Sequence, residues 1–397
     1  MDDPNNHMKR LLTFPLVLTL LVTGFVATSQ AQLTLDEAKI SGEVQQFLQE
    51  NAIPGAVVLI RKGDQQWQKA FGVADLKTGQ AMQTDMAFRI GSNTKTMTAT
   101  VVLQLVQQGK LKLDEPVSKY FQNVPNGDQI TIADLLEMRS GIPTYSDLKS
   151  VNQVLDEQPK YVYTPQELIQ LGIEQKPLFK PGTEFNYSNT NYVMLGVLIE
   201  QKMGMSLEQA FYQNLFEPLK LNRTLLPASN DDTMPAPFAH GYLFGTNVST
   251  LDDPALPADE QKAALAGKLL PNDVTFANPS WAWAAGGAIS TADQLATYVE
   301  ALVNGGLLDQ AMQKERLASL KPTNPDLADS PEYGLGIVKL GPMLGHDGSL
   351  PGYQSFMGHD PETGITLIVW TNLQTSPNGG ETANGIAKLL IKHLGAK

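Results

Sequence analysis

The run Ser92-Asn93-Thr94-Lys95 sets a hydroxyl and an amine three residues apart, a spacing that can make a nucleophile. A serine hydroxyl attacks poorly at neutral pH unless a neighbouring base takes its proton and positive charge stabilises the alkoxide as it forms. Lysine can supply both. If Ser92 opens a helix, Lys95 lies on the same face one turn on, with its side chain leaning back toward the nucleophile. The dipole at the helix start favours the developing negative charge. Two more polar sets follow in order, Tyr187-Ser188-Asn189 and His346-Asp347-Gly348. Together the three point to a serine acyl hydrolase.

Copies of these patterns occur elsewhere in the chain, in settings that do not suit the chemistry. Ser146-Asp147-Leu148-Lys149 follows the loop Gly141-Ile142-Pro143 rather than a strand, so Ser146 is expected to be dispensable. Tyr212-Gln213-Asn214 lies inside an amphipathic run. His393-Leu394-Gly395 falls where the last helix ends, and its glycine reads as a cap. Lys77-Thr78-Gly79 sits between apolar stretches and reads as a hairpin turn. Only the set built on Ser92 has the required order and surroundings.

The elements that must hold these groups follow from periodicity. Residues 34–51 read as an amphipathic helix, and 56–61 and 66–72 as strands. Phe88-Arg89-Ile90 leads into Ser92, and a helix over 94–108 carries Lys95, Ala99, Val102, Leu103 and Val106 on one stripe. The middle, 131–224, is mostly helical, with Tyr187 on a loop before a helix at 192–202. Residues 225–279 are rich in Pro, Asn and Asp and too long for a plain connection, so they form either a substrate-lining excursion or a surface flap. Strands return at 334–340, 343–349, 354–358 and 365–371, and a helix over 381–393 closes the chain. One sheet assembled from distant segments, with a helical lobe inserted, follows from this order.

A net charge of -12 argues against nucleic acid and anionic membranes as partners and leaves a neutral or zwitterionic small substrate. Lys9 and Arg10 precede an apolar run over 11–27, and Ser29-Gln30-Ala31 offers a small-residue cleavage site. Residues 1–31 therefore read as a secretory signal, with Met8 a better start than Met1, and the protein as periplasmic or secreted. Membrane contact is expected only if that signal stays uncleaved. With 0 cysteines the chain has no disulfide and no catalytic thiol, so core packing alone must hold the fold. No zinc motif occurs among the 5 histidines, and neither a metal nor a cofactor is expected. His240 and His359 read as structural, and Trp281 and Trp283 as buried packing rather than a cleft wall.

The three sets come with further stretches: Leu135-Leu136-Glu137-Met138-Arg139-Ser140-Gly141-Ile142-Pro143, Pro181-Gly182 ahead of the tyrosine, Gly286-Gly287-Ala288-Ile289-Ser290-Thr291, and Tyr333-Gly334-Leu335-Gly336. Together they resemble the superfamily of serine β-lactamases and penicillin-binding proteins, in particular the class C β-lactamase, D-alanyl-D-alanine carboxypeptidase and related esterase group. The likeness spans nearly all of the chain after the signal. It implies an α/β (α+β) fold of the β-lactamase/transpeptidase type, an antiparallel sheet flanked by helices with an inserted all-helical lobe. The domain would cover 32–397, with an α/β lobe at 32–125 and 285–397 and a helical and loop lobe at 126–284.

The resemblance also implies roles. Ser92 would attack the substrate carbonyl and form an acyl-enzyme, while Lys95 and Tyr187 share its proton; which of them is the base stays open. Asn189 would orient Lys95 and hold the substrate amide, and His346, Gly348 and Ser349 would complete the binding side. Backbone N–H groups of Ser92 and Ser349 would hold the oxyanion. His346 replaces the lysine common in β-lactamases and resembles the histidine of some carboxypeptidases and esterases. Asp347 stands where a threonine often helps hold a substrate carboxylate, and a carboxylate there repels one. The resemblance adds a peptidoglycan peptide to the possible substrates. The leading expectation is a D-alanyl-D-alanine carboxypeptidase cleaving peptide amides, with a β-lactamase or a small-ester esterase as the alternative. A peptidoglycan-fragment binder without turnover is the reading outside enzymes, and intact Ser92, Lys95 and Tyr187 argue against it.

Overall fold

The strand Gly55–Lys62 has apolar side chains on both faces, and the two faces belong to different cores. Side chains alternate across a strand, so Val57 and Leu59 enter one core while Ala56, Val58 and Ile60 enter the other. Such a strand must lie inside a sheet covered on each side. In the computed structural model, which describes residues 33–395, it is the third strand of a nine-stranded sheet. The proposed signal at 1–31 lies outside the described residues.

The sheet order is Gln80–Ala81, Gln65–Asp75, Gly55–Lys62, Ile365–Thr371, Tyr353–Asp360, Met343–Leu350, Val338–Leu340, Glu332–Tyr333 and Lys321–Pro322. Every ladder is antiparallel. The sheet closes across the whole sequence, Ala56 pairing with Thr371. Helices Glu37–Glu50 and Ala383–His393 cover one face through Ile40, Val44, Leu48, Ile386 and Leu390. Helices Thr94–Gln107, Asn189–Met203 and Ala292–Asn304 build the core on the other. Residues 94–318 carry most of the helices; one short ladder pairs Phe88–Arg89 with Ile289–Ser290 and another Tyr242–Leu243 with Asn272–Asp273. The architecture is thus the α/β sheet-and-helix arrangement expected from the sequence.

Two local expectations change. The strand read over 334–340 is broken, because Gly336 takes φ +67 and its missing Cβ lets the turn approach helix Thr94–Gln107: a Cβ there would stand 2.0 Å from that of Ala99. Helix Thr94–Gln107 is buried all round from Thr94 to Leu103 rather than along one stripe. Its threonines make that tolerable by returning their hydroxyls to carbonyls: Thr96 to Asn93 at 2.7 Å, Thr98 to Ala284 at 2.7 Å and Thr100 to Thr96 at 2.6 Å.

Candidate active site

Ser92 is the one partly exposed residue between Met86 and Leu103. It sits in the short turn Gly91–Asn93, immediately before helix Thr94–Gln107. The turn is pinned from both sides. Gly91 takes φ +55, and a Cβ there would meet the Ser349 nitrogen at 2.8 Å, so only glycine lets the turn lie against strand Met343–Leu350. The Asn93 side-chain amide donates to the Ile90 carbonyl at 2.9 Å and to Ser355 Oγ at 2.8 Å, tying the turn to the next strand. The backbone nitrogens of Ser92 and Ser349 thereby come to flank Gly91.

Lys95 rises from the first helical turn, fully buried, and its Nζ lies 2.9 Å from Ser92 Oγ and 2.6 Å from the Ala285 carbonyl. It also stands 4.7 Å from the ring centre of Tyr187 and 5.7 Å from that of Tyr192. Burial holds the amine well below the ordinary lysine pKa, and the nearby Asp347 charge offsets this only in part. Tyr187 moves the other way: burial lifts its phenol well above the ordinary value, Ser92 acting as hydrogen-bond partner lowers it, and Asp347 adds to the rise. Ser92, Lys95 and Tyr187 are therefore brought together around one hydroxyl.

Asn189 opens helix Asn189–Met203 but does not reach Lys95. Its side-chain amide donates to Ser146 Oγ at 2.9 Å, and its backbone N–H to Thr144 Oγ1 at 3.1 Å. Thr144 and Ser146 share a further bond of 2.8 Å. The orienting contact expected of Asn189 is made instead by the Ala285 carbonyl. Ser146, set aside on sequence grounds, is a direct partner of a candidate site residue. Its position follows from the short turn Tyr145–Asp147 folding over the start of that helix, a contact between segments that local patterns do not report.

His346 is buried on strand Met343–Leu350, and Asp347 beside it has a side chain 48% exposed. His346 Nδ1 lies 2.6 Å from the Asp347 carbonyl, which can only accept, so Nδ1 carries the hydrogen. The Tyr333 hydroxyl lies 3.3 Å from Nε2. Burial pushes the imidazole down to about 4, with Lys95 adding to the fall and Asp347 opposing it, so the ring is neutral at pH 7. The Asn384 amide donates to Asp347 Oδ2 at 2.8 Å. Gly348 is required by contact, since a Cβ there would stand 2.0 Å from the Ile90 carbonyl oxygen. Tyr333 belongs to a stretch singled out in the sequence, whereas nothing local marked Asn384.

One cavity adjoins these groups, and a second lies beside the strand that carries His346 and Ser349. One of about 310 Å³ lies against Tyr187, His346 and Asp347 and is walled by Phe185, Tyr333 and Phe356. The other, of about 550 Å³, is bounded by Leu350, Trp281 and, from the 225–279 excursion, Leu243, Val274 and Phe276. That excursion lines a cavity beside the strand bearing Ser349. Trp281 walls it, while Trp283 is buried and only 4% exposed. His240 is paired with Asp273 at 2.7 Å, and His359 bonds Thr366 at 2.9 Å, both away from Ser92. Lys77-Thr78-Gly79 forms the turn between two strands, as its composition suggested. Among the described residues no group of three or more His, Asp or Glu is placed to hold a metal ion.

This fold and site have counterparts among known proteins. The chain belongs to the Beta-lactamase family, whose pattern matches residues 40–391. A D-stereospecific amidohydrolase from Streptomyces sp. is similar at 29% identity over 87% of this chain and 97% of its own, with a TM-score of 0.73. A D-amino acid amidase from Ochrobactrum anthropi SV3, solved with L-phenylalanine amide, is similar at 26% identity over 90% of this chain and 98% of its own, also with a TM-score of 0.73. Protein flp of Staphylococcus aureus is 33% identical over 206 residues, 50% of this chain and 40% of its own length. Membership places the protein among the serine acyl hydrolases.

Proposed function

We propose that this protein cleaves amide bonds through an acyl-enzyme on Ser92, with Lys95 as the base. The observation that carries the reading is the 2.9 Å approach of a buried Lys95 amine to a partly exposed Ser92 hydroxyl. A lysine whose pKa is lowered by burial spends more of its time as a free amine at neutral pH, the form able to take the Ser92 proton. Ser92 Oγ then bonds to the substrate carbonyl carbon, and the carbonyl oxygen becomes an oxyanion held by the Ser92 and Ser349 N–H groups. The C–N bond breaks as the leaving amine gains a proton, supplied through Tyr187, whose raised pKa keeps its phenol protonated. Water, giving its proton back along the same groups, releases the acid and restores Ser92. Asn189, tied to Ser146 by its side-chain amide, is assigned the substrate amide on the family resemblance.

Amide cleavage is preferred over β-lactam or ester cleavage because the similar solved proteins include an amidohydrolase and an amidase. A D-alanyl-D-alanine carboxypeptidase is the second reading, favoured by His346 and opposed by the carboxylate of Asp347 on the binding side. Export is proposed from the pattern at 1–31 alone, and the N-terminal sequence of mature protein from the producing cell tests it.

The activity is tested by incubating wild type and Ser92→Ala with D-phenylalaninamide, a D-Ala-D-Ala peptide, nitrocefin and p-nitrophenyl acetate. Amide turnover that vanishes in Ser92→Ala is expected. Amide turnover that persists in the variant, or is absent from wild type, overturns the reading.

A further inference from the structure

Asp347 is a carboxylate in a place that gives it no cation of its own. One oxygen is tethered by the Asn384 amide at 2.8 Å. The other stands 3.5 Å from His346 Nδ1, which already donates to the Asp347 backbone carbonyl and belongs to a neutral ring. The side chain is 48% exposed and opens on the 310 Å³ cavity that Tyr187 also lines.

The charges around that cavity do not cancel. Lys388 is paired with Glu381 and so neutralises that carboxylate rather than Asp347. Lys95, the other nearby amine, is fully buried behind Tyr187 and directed at Ser92 and Ala285. Asp347 is therefore one uncompensated negative charge among aromatic walls, Phe185, Tyr187, Tyr333 and Phe356. Aromatic faces attract cations through their quadrupoles, and a tethered carboxylate accepts charge-assisted hydrogen bonds.

Resting on the assignment of Ser92 as nucleophile, we propose that Asp347 and this aromatic-walled cavity select substrates carrying an ammonium group, so that the preferred amides are those of amino acids with a free amine. A substrate carboxylate would meet the same negative charge and be disfavoured. Asn384 is a positioning residue here, holding the Asp347 carboxylate at the cavity mouth.

The test compares three amides of equal scaffold and different charge: D-phenylalaninamide, N-acetyl-D-phenylalaninamide and N-succinyl-D-phenylalaninamide. Each is titrated for protection of wild type and Asp347→Asn against covalent labelling by a fluorophosphonate probe. The readout needs binding at the site and not turnover. In wild type the cationic amide should protect at concentrations about tenfold or more below the acetylated one, with the succinylated one weakest. Asp347→Asn should compress the cationic-to-neutral ratio toward one, since the asparagine can keep the Asn384 bond without the charge. An unchanged ratio in Asp347→Asn, equal protection by all three compounds, or no protection by any of them, overturns the proposal. Wild type left unlabelled by the probe would instead overturn the reading of Ser92, a separate and distinguishable failure.

Discussion

Lys95 Nζ stands 2.9 Å from Ser92 Oγ while Lys95 itself has no exposed surface. The amine reaches the hydroxyl from one helical turn away, inside a helix buried on every side. General acid–base groups of this kind contribute about 10²-fold to 10⁴-fold to a rate. Lys95→Met and Tyr187→Phe should each slow acylation by about 10²-fold or more. Stopped-flow acylation near the wild-type rate in both variants would reject their roles.

Ser146 separates the two serine-lysine patterns. Ser146→Ala should still be labelled at Ser92, yet the loss of its bond to Asn189 should lower kcat/KM by about threefold to tenfold, the equivalent of roughly 1 kcal/mol for one hydrogen bond. Unchanged kinetics would show that the Asn189 amide is held without it.

Gly91→Ala tests the turn that presents the nucleophile. Its φ of +55 and the 2.8 Å approach of a Cβ to the Ser349 nitrogen predict a loss of about 1–3 kcal/mol in stability, the usual strain of such a residue. Labelling of Ser92 should slow as well, because the proposed oxyanion donors, the Ser92 and Ser349 nitrogens, flank that position. Urea denaturation and a labelling time course read both effects, and wild-type values in both would contradict the account.

His346 predicts a pH effect of definite sign. Burial lowers its pKa in the folded state to about 4 from an ordinary 6.5, so the folded protein resists a proton that the unfolded chain accepts. The stabilising contribution is full above pH 6.5 and is lost as pH falls toward 4. His346→Gln should therefore lose less stability than wild type between pH 7 and pH 4.5, by about 2 kcal/mol. Equal losses in urea denaturation at the two pH values would show that the ring is not buried neutral.

The sequence made legible what is local. The three-residue spacing of Ser92 and Lys95 and the apolar strand over 56–61 are set within a few residues, and the structure brings Lys95 Nζ to 2.9 Å from Ser92 Oγ and places that strand inside the sheet. What stayed hidden is non-local. The Ala285 carbonyl that holds Lys95 lies 190 positions away, Asn384 is 37 from Asp347, and Ser146 is 43 from Asn189. No periodicity reports such pairs. The all-round burial of helix Thr94–Gln107 was masked for a related reason: its threonines read as polar although their hydroxyls bond within the core.

The central claim is that Ser92, activated by Lys95, forms the covalent intermediate. The most direct measurement is peptide-level mass spectrometry of the wild-type protein after reaction with a fluorophosphonate probe. The account predicts a single adduct on the peptide bearing Ser92, lost in Ser92→Ala and slow to form in Lys95→Met. An adduct on the peptide bearing Ser146, or an adduct that persists in Ser92→Ala, would contradict it.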